Sequence, residues 1–423
     1  MDRISNLPDE LLVRILSFVP TTKVAVSTSI LSKRWEDLWM WLPKLDYGRK
    51  DCPVSECERL RSFLDSKLPL HRSPIIESFR LELSNSIIKP ENINTWVATA
   101  LSRSLSELDI SLHDDTDPPK FPNILPSDLF TCKSLAILKL AGEILLDVPG
   151  GVSLPSLKTL KLQSVRYFNE ETLQRLLSNC PVLEDLVVDL REFDEESAGK
   201  LTVAVPSLQS LSIYLFYYQD LDGFVIETPA LKYFKLMDHN IIGHYVLIEK
   251  MPDLIEAYLE VTFTDLKSIF GAITSVKRLS ICSEAIKKLD DDVVFNQLEH
   301  LEVCICTLFA SADQLIELLK ATSKLKSLGI SFFDQHTPSG MVCWNQPTTV
   351  PECILSNLQS FSWSKYRGEP EERDVVVYFL KHARHLETAT IKSSESSRVA
   401  KSEMLKELEL SPRASATCQL MFD

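Results

Sequence analysis

Leu157-Lys-Thr-Leu160-Lys-Leu162 returns 26 residues later as Leu183-Glu-Asp-Leu186-Val-Val188, and again as Leu208-Gln-Ser-Leu211-Ser-Ile213 and Leu231-Lys-Tyr-Phe234-Lys-Leu236. Leu254/Ala257/Leu259, Val276/Leu279/Ile281 and Leu298/Leu301/Val303 repeat the same phrase: apolar, two variable, apolar, one variable, apolar. The steps from 157 to 298 are 26, 25, 23, 23, 22 and 22 residues. Upstream, Ile76/Phe79/Leu81, Leu105/Leu108/Ile110 and Leu135/Leu138/Leu140 fit. Downstream, Leu325/Leu328/Ile330, Leu358/Phe361/Trp363, Leu386/Ala389/Ile391 and Leu405/Leu408/Leu410 fit as well, which makes fourteen copies. Five carry proline two places ahead of the first apolar residue, at Pro155, Pro181, Pro206, Pro229 and Pro252. Proline has no N–H to give a sheet interior, so it marks where a strand begins.

The last two apolar residues of each phrase point to one face of a short strand and their neighbours to the other. Between phrases the spacing turns helical, as in Asn169-Glu-Glu-Thr-Leu173-Gln-Arg-Leu176-Leu177 and Asp313-Gln-Leu315-Ile316-Glu-Leu318-Leu319. Fixing one repeat costs ~1–2 kcal/mol of backbone entropy per residue. Its few apolar side chains return only ~1.5–3 kcal/mol each, so a lone copy cannot fold and neighbours must bury one another. The period and phrase resemble leucine-rich repeats. Leu298-Glu-His-Leu301-Glu-Val303-Cys-Ile-Cys306-Thr-Leu308 extends to that family's fuller consensus, with cysteine at the asparagine-or-cysteine position. Leucine supplies 64 of 423 residues, and the repeat accounts for that excess.

Residues 1–48 read differently. They hold six acidic and six basic residues, whereas the whole chain carries −14. The spacing predicts an amphipathic helix from Leu7 to Pro20, a second from Thr22 through Val26, and a third over Ser29–Trp39. So small a unit exposes more apolar surface than it can hide, which points to a partner. Leu7-Pro8, Asp9-Glu-Leu-Leu12, Ile15-Leu-Ser-Phe18, Pro20, Leu31-Ser-Lys-Arg-Trp35 and Leu38-Trp39 resemble the F-box. Near the other end, Val350-Pro-Glu-Cys-Ile-Leu-Ser-Asn-Leu358, Tyr366-Arg-Gly-Glu-Pro-Glu-Glu372, the apolar stretch Val375–Leu380 and the closing Ser411-Pro-Arg-Ala-Ser415 look like the FBD domain. The chain is thereby identified as similar to plant F-box/FBD/leucine-rich-repeat proteins.

The expected fold is α/β: a three-helix F-box over 1–48, a leucine-rich-repeat solenoid over 49–340 with a parallel sheet and helices on its outer face, and an FBD α/β cap over 341–423. The resemblance implies a non-catalytic substrate receptor of a cullin–RING ubiquitin ligase, docked on a Skp-type adaptor and holding an unknown protein substrate. It assigns Leu7, Pro8, Leu11, Ile15, Leu16, Leu31 and Trp35 to the adaptor-facing surface or the core behind it. Substrate contacts are expected at outward strand positions: Lys161, Asp185, Tyr233, Lys235, Tyr258, Glu260, His300 and Glu302. A scaffold not tied to degradation and a small-molecule-gated receptor are the alternatives.

Other chemistry lacks support in the sequence. The acidic balance disfavours nucleic acid and anionic membrane surfaces as partners. No apolar run is long enough for a membrane span, and no secretion segment or Asn-x-Ser/Thr acceptor occurs. Ten scattered cysteines therefore read as reduced thiols of the cytoplasm or nucleus. His300, Cys304 and Cys306 have no second cysteine pair at zinc spacing, and His382 and His385 have no third ligand. The acidic runs at 114–117 and 290–292 lack calcium-loop spacing. With no phosphate loop, dinucleotide fingerprint or nucleophile elbow, neither enzyme activity nor a cofactor is expected.

Overall fold

Each phrase becomes a strand whose burial alternates with the sequence. In the computed structural model Leu160 and Leu162 are buried within Thr159–Gln163, while Thr159 and Lys161 between them are half-exposed. That is the two-residue period of a pleat with one face on a core. The structure describes residues 4, 7–48, 54–83, 88–113, 123–169, 171–190, 199–216, 221–240, 242–261, 266–282, 293–305, 312–333, 344, 346–395, 397 and 399–423. They fall into two units, Met1–Leu208 with Gln219–Asp222, and Gln209–Tyr218 with Gly223–Asp423.

In the first unit, Lys44–Gly48, Ser78–Leu83, Glu107–Leu112, Ile137–Gly142, Thr159–Gln163 and Asp185–Asp189 pair in that order, all parallel. The register aligns Leu45, Phe79, Leu108, Leu138, Leu160 and Leu186, so the second apolar position of every phrase forms one buried row. In the second unit the parallel ladder runs Ser210–Leu215, Tyr233–Asp238, Glu256–Val261, Arg278–Cys282, His300–Cys304, Ser327–Ser331, Ser360–Tyr366, Thr388–Ser393 and Gln419–Phe422. The FBD region continues the same ladder. Phe361 of its strand stacks on Phe379 of the helix Pro370–His382 at 4.8 Å, and Trp363 and Tyr366 are buried beside them.

The prolines mark turns just ahead of the strands. Leu157 donates its N–H to the Leu154 carbonyl, Leu183 to Cys180, Leu208 to Val205, Leu231 to Thr228 and Leu254 to Met251. In each turn the proline is the second of four residues, where its fixed φ suits a β-turn. The first apolar residue of the phrase closes the turn and enters the core.

Four expectations change. The fourteenth copy, Leu405/Leu408/Leu410, lies on and just after the helix Lys401–Glu409, with Leu408 buried and Leu410 exposed. A spacing of three also suits a helix, and Lys-Ser-Glu-Met-Leu-Lys-Glu-Leu-Glu is rich in helix formers. Conversely, Leu42-Pro-Lys-Leu45-Asp-Tyr47 carries the phrase inside residues 1–48 and forms the first strand, with all three apolar side chains buried. The third F-box helix is not α-helical: 3-10 turns at Thr28–Ile30 and Leu38–Trp41 flank a run of turns. Finally, helices do not cover every repeat. Asn123–Ile124, Ile144–Leu146 and Arg166–Tyr167 form a small parallel sheet in the first unit, and Gly223–Glu227 pairs with Tyr245–Ile248 in the second. Connections of this length with β-branched and aromatic residues, such as Gly-Phe-Val-Ile-Glu, favour a short strand.

The Cys306–Leu308 extension of the consensus and the acidic runs at 114–117 and 290–292 lie outside the described residues. Among the described residues no helix is long and apolar enough to cross a membrane.

Where the F-box meets the first repeats, His71 is buried near Arg103, and burial together with that guanidinium pushes its imidazole down to about 4. The unfolded chain binds this proton more readily, so the stability contributed by neutral His71 is present above pH 6.5 and is lost as pH falls towards 4. The shift corresponds to roughly 3 kcal/mol. Urea midpoints of wild type should drop between pH 7 and pH 4.5 by more than those of His71→Phe. Parallel pH curves for the two proteins would refute this.

Candidate binding surfaces

The F-box helix Asp9–Leu16 buries Leu12 and Leu16 and leaves Leu11 and Ile15, one helical turn apart, each 43% exposed. Thr21 caps the next helix, Thr22–Ser27, by accepting the Val24 N–H. Arg34 pairs with Asp9 at 2.8 Å and also donates to the Leu7 carbonyl, tying the start of the domain to its last turns. Trp35 and Leu16 are buried, Leu7 is half-buried, and Pro8 and Leu31 are exposed. The seven expected adaptor residues thus divide into a core pair and a surface set, a division the sequence left open. Phe18 at 80% and Ile30 at 88% exposure join the surface set and were missing from the expected site. Phe18 lies two residues past the helix Asp9–Leu16, and Ile30 closes the 3-10 turn Thr28–Ile30. The available signal was the number of large apolar residues in so short a segment, more than a small domain can bury.

On the sheet face of the first unit, charges alternate along neighbouring strands. Arg80 lies 3.6 Å from Asp46, 3.1 Å from Glu82 and 4.0 Å from Asp109. Lys139 reaches Glu107 at 2.8 Å and Asp109 at 3.9 Å, and Lys161 reaches Asp185 at 3.9 Å. Partial burial, with the neighbouring carboxylates, holds the Asp46 and Asp109 carboxyls above the ordinary carboxylate range, and the nearby cations offset this only in part. Lys161 and Asp185, both expected to contact substrate, are half-exposed partners in this face.

The second unit presents a different face. Tyr233, Lys235 and Tyr258 are half-buried, and His300 and Glu302 are exposed. Arg278 pairs with Glu256 at 2.6 Å, and Glu302 accepts a hydrogen bond from the Ser280 hydroxyl at 3.3 Å. Burial, with Glu256 nearby, pushes the Tyr233 phenol up. Glu260 departs from the expected outward exposure: it is 2% exposed, lies 2.9 Å from His239 and accepts the Tyr258 hydroxyl at 2.7 Å. Its alternation is intact, but neighbouring side chains cover it. It shapes the face from below and is not a free contact.

Cys282 and Cys304 are register partners on adjacent strands and are buried with Phe333, whose N–H donates to the Cys304 sulfur. Among the described residues no group of three His, Cys, Asp or Glu side chains is placed to hold a metal ion. His382 packs on Tyr378 at 4.7 Å.

The first unit therefore joins an F-box to a leucine-rich-repeat ladder, and in the second unit a leucine-rich-repeat ladder runs on through an FBD region. The F-box domain family matches residues 4–47, the repeats described as "FBD-associated F-box protein At5g56370, LRR repeats" match 93–264, and FBD matches 346–391. The FBD-associated F-box protein At4g10400 of Arabidopsis thaliana is 56% identical over the full length of both chains. A second FBD-associated F-box protein of that plant, At5g38590, is 48% identical over 96% of this chain and 98% of its own. The putative F-box/FBD/LRR-repeat protein At5g62970 is 44% identical over all of both. The chain belongs to the plant F-box/FBD/LRR-repeat family.

Proposed function

We propose that this protein is the substrate-receptor subunit of an SCF-type cullin–RING ubiquitin ligase. The observation that carries it is the F-box itself, whose small core leaves Leu11, Ile15, Phe18, Ile30 and Leu31 exposed. Large apolar side chains so arranged call for a partner surface, and a Skp-type adaptor is the partner that an F-box implies. The repeat face then selects the protein target. The chain makes and breaks no bond: it raises the effective concentration of a target lysine beside the ubiquitin carrier. Co-purification with a recombinant Skp-type adaptor tests the reading. Wild type is expected to bind, and Leu7→Asp combined with Pro8→Ala to lose binding. Failure of wild type to bind would leave only a repeat-based binder.

Gating by a small molecule has one observation in its favour. A cavity of about 510 Å³ beside the F-box is lined by Thr21, Val26, Tyr47, Leu60 and Phe63 among others. That volume is within the range that small-ligand sites take.

A further inference from the structure

Three strands of the second unit bring Tyr214, Lys235 and Tyr258 side by side. The Lys235 ammonium lies 4.4 Å from the Tyr258 ring centre and 5.2 Å from that of Tyr214. The Tyr258 ring in turn packs on Phe333 at 4.5 Å, and its hydroxyl is held by Glu260. Tyr258 is thus fixed by a ring contact, a cation and a hydrogen bond. Lys235 is fixed between two aromatic faces while remaining half-exposed. A flexible lysine whose rotamer is already restricted gives up less entropy on binding, which is what distinguishes an anchor from an ordinary surface charge.

The charge of Lys235 is also unmatched. From Ser210 to Cys304, the outward strand positions carry two arginine or lysine side chains, Lys235 and Arg278. Arg278 is paired with Glu256, whereas no carboxylate of the described residues lies within 4.0 Å of the Lys235 nitrogen. Glu260, on the next strand, is committed to His239 and Tyr258. Met237, two residues along from Lys235 on the same strand face, is half-buried and adds an adaptable apolar contact.

We propose that Tyr214, Lys235 and Tyr258 form the anchor of the target-binding face, taking a single Asp or Glu carboxylate of the target protein flanked by an aromatic or aliphatic side chain. The carboxylate meets Lys235 and the apolar neighbour lies against the tyrosines and Met237. One acidic residue is specified, and a polyacidic tract is not, because Glu256 and Glu302 stand close along the same face and the chain carries −14 overall. This rests on the repeat face being the target-binding surface. It does not depend on what the F-box binds.

The test uses the full chain co-expressed with a Skp-type adaptor and a set of fluorescent peptides with an aromatic and an aliphatic residue flanking a central Glu, Gln, Lys or phosphoserine. Wild type is expected to bind the Glu peptides about tenfold more tightly than the Gln and Lys peptides. Lys235→Met should abolish that preference, Lys235→Arg should keep it, and Lys235→Glu should turn it towards Lys peptides. Thermal unfolding of each variant reports the fold separately, and adaptor capture reports the F-box separately. Equal affinity for all four peptides would overturn the proposal, as would a Glu preference that survives both Lys235→Met and Lys235→Glu. Binding confined to the phosphoserine peptide would overturn the carboxylate assignment.

Discussion

Combining Ile15→Asp with Leu31→Asp should weaken adaptor binding by about 100-fold while leaving thermal unfolding close to wild type. Ile15 is 43% exposed and Leu31 63% exposed, so aspartate at either site meets water in the free protein and costs little there. Against an adaptor each would become an unpaired charge in an apolar contact, and that cost falls wholly on binding. The neighbouring substitution Leu12→Asp supplies the contrast. Leu12 is fully buried, so its replacement should destabilise the F-box itself and lose binding through unfolding. Isothermal titration beside calorimetric unfolding separates the two cases. Undiminished affinity in the Ile15/Leu31 variant would move the adaptor contact to another surface.

The strands were legible because a repeated phrase is read many times over. Thirteen copies in one phase leave no freedom in which residues face the core, and the parallel register aligns the same phrase position from strand to strand. Reading failed where one copy stood without that corroboration. Leu405/Leu408/Leu410 matched the phrase by spacing alone, and helix propensity decided it. Leu42/Leu45/Tyr47 falls inside the 1–48 range beyond the last F-box motif residues Leu38-Trp39, a single copy apart from the main run, although Leu45 and Phe79 sit in register like any other pair. The connections were harder still. Whether such a connection returns as a helix or as a two-to-five-residue strand turns on a few β-branched or aromatic residues, too short a stretch to show a period.

The candidate binding faces were legible as positions and not as states. Alternation placed Lys235, Tyr258 and Glu260 on one side of the sheet, but nothing local distinguishes a lysine held between two rings from one extended into solvent. Glu260 shows the same limit, since its burial comes from His239 on the preceding repeat and from Tyr258 two residues before it. The exposed set on the F-box, by contrast, follows from the size of the domain: a short helix with apolar residues on more than one face cannot bury them all.

Gly142→Ala should cost about 3 kcal/mol or more, although it adds only one methyl group. Gly142 ends its strand at φ +81°, a conformation that side chains of L-residues avoid. It is the register partner of Leu112, and a β-carbon built on it would overlap the Leu112 carbonyl oxygen and lie 2.9 Å from the carbonyl carbon. That oxygen cannot swing away freely, because it accepts the Glu143 N–H at 2.8 Å. Accommodation therefore requires parting the two strands or breaking that bond, with the backbone strain added in either case. Gly48 repeats the arrangement against Glu82, at φ +104°, and Gly48→Ala should behave alike. Gly150 and Gly151 provide the control: neither has a positive φ, no atom lies within 4 Å of an added β-carbon, and alanine there should change stability by less than about 0.5 kcal/mol. Urea denaturation of the four single variants measures all of this. A Gly142→Ala protein within 1 kcal/mol of wild type would mean that the ladder yields at that edge, and that its strand ends are held by something other than close backbone approach.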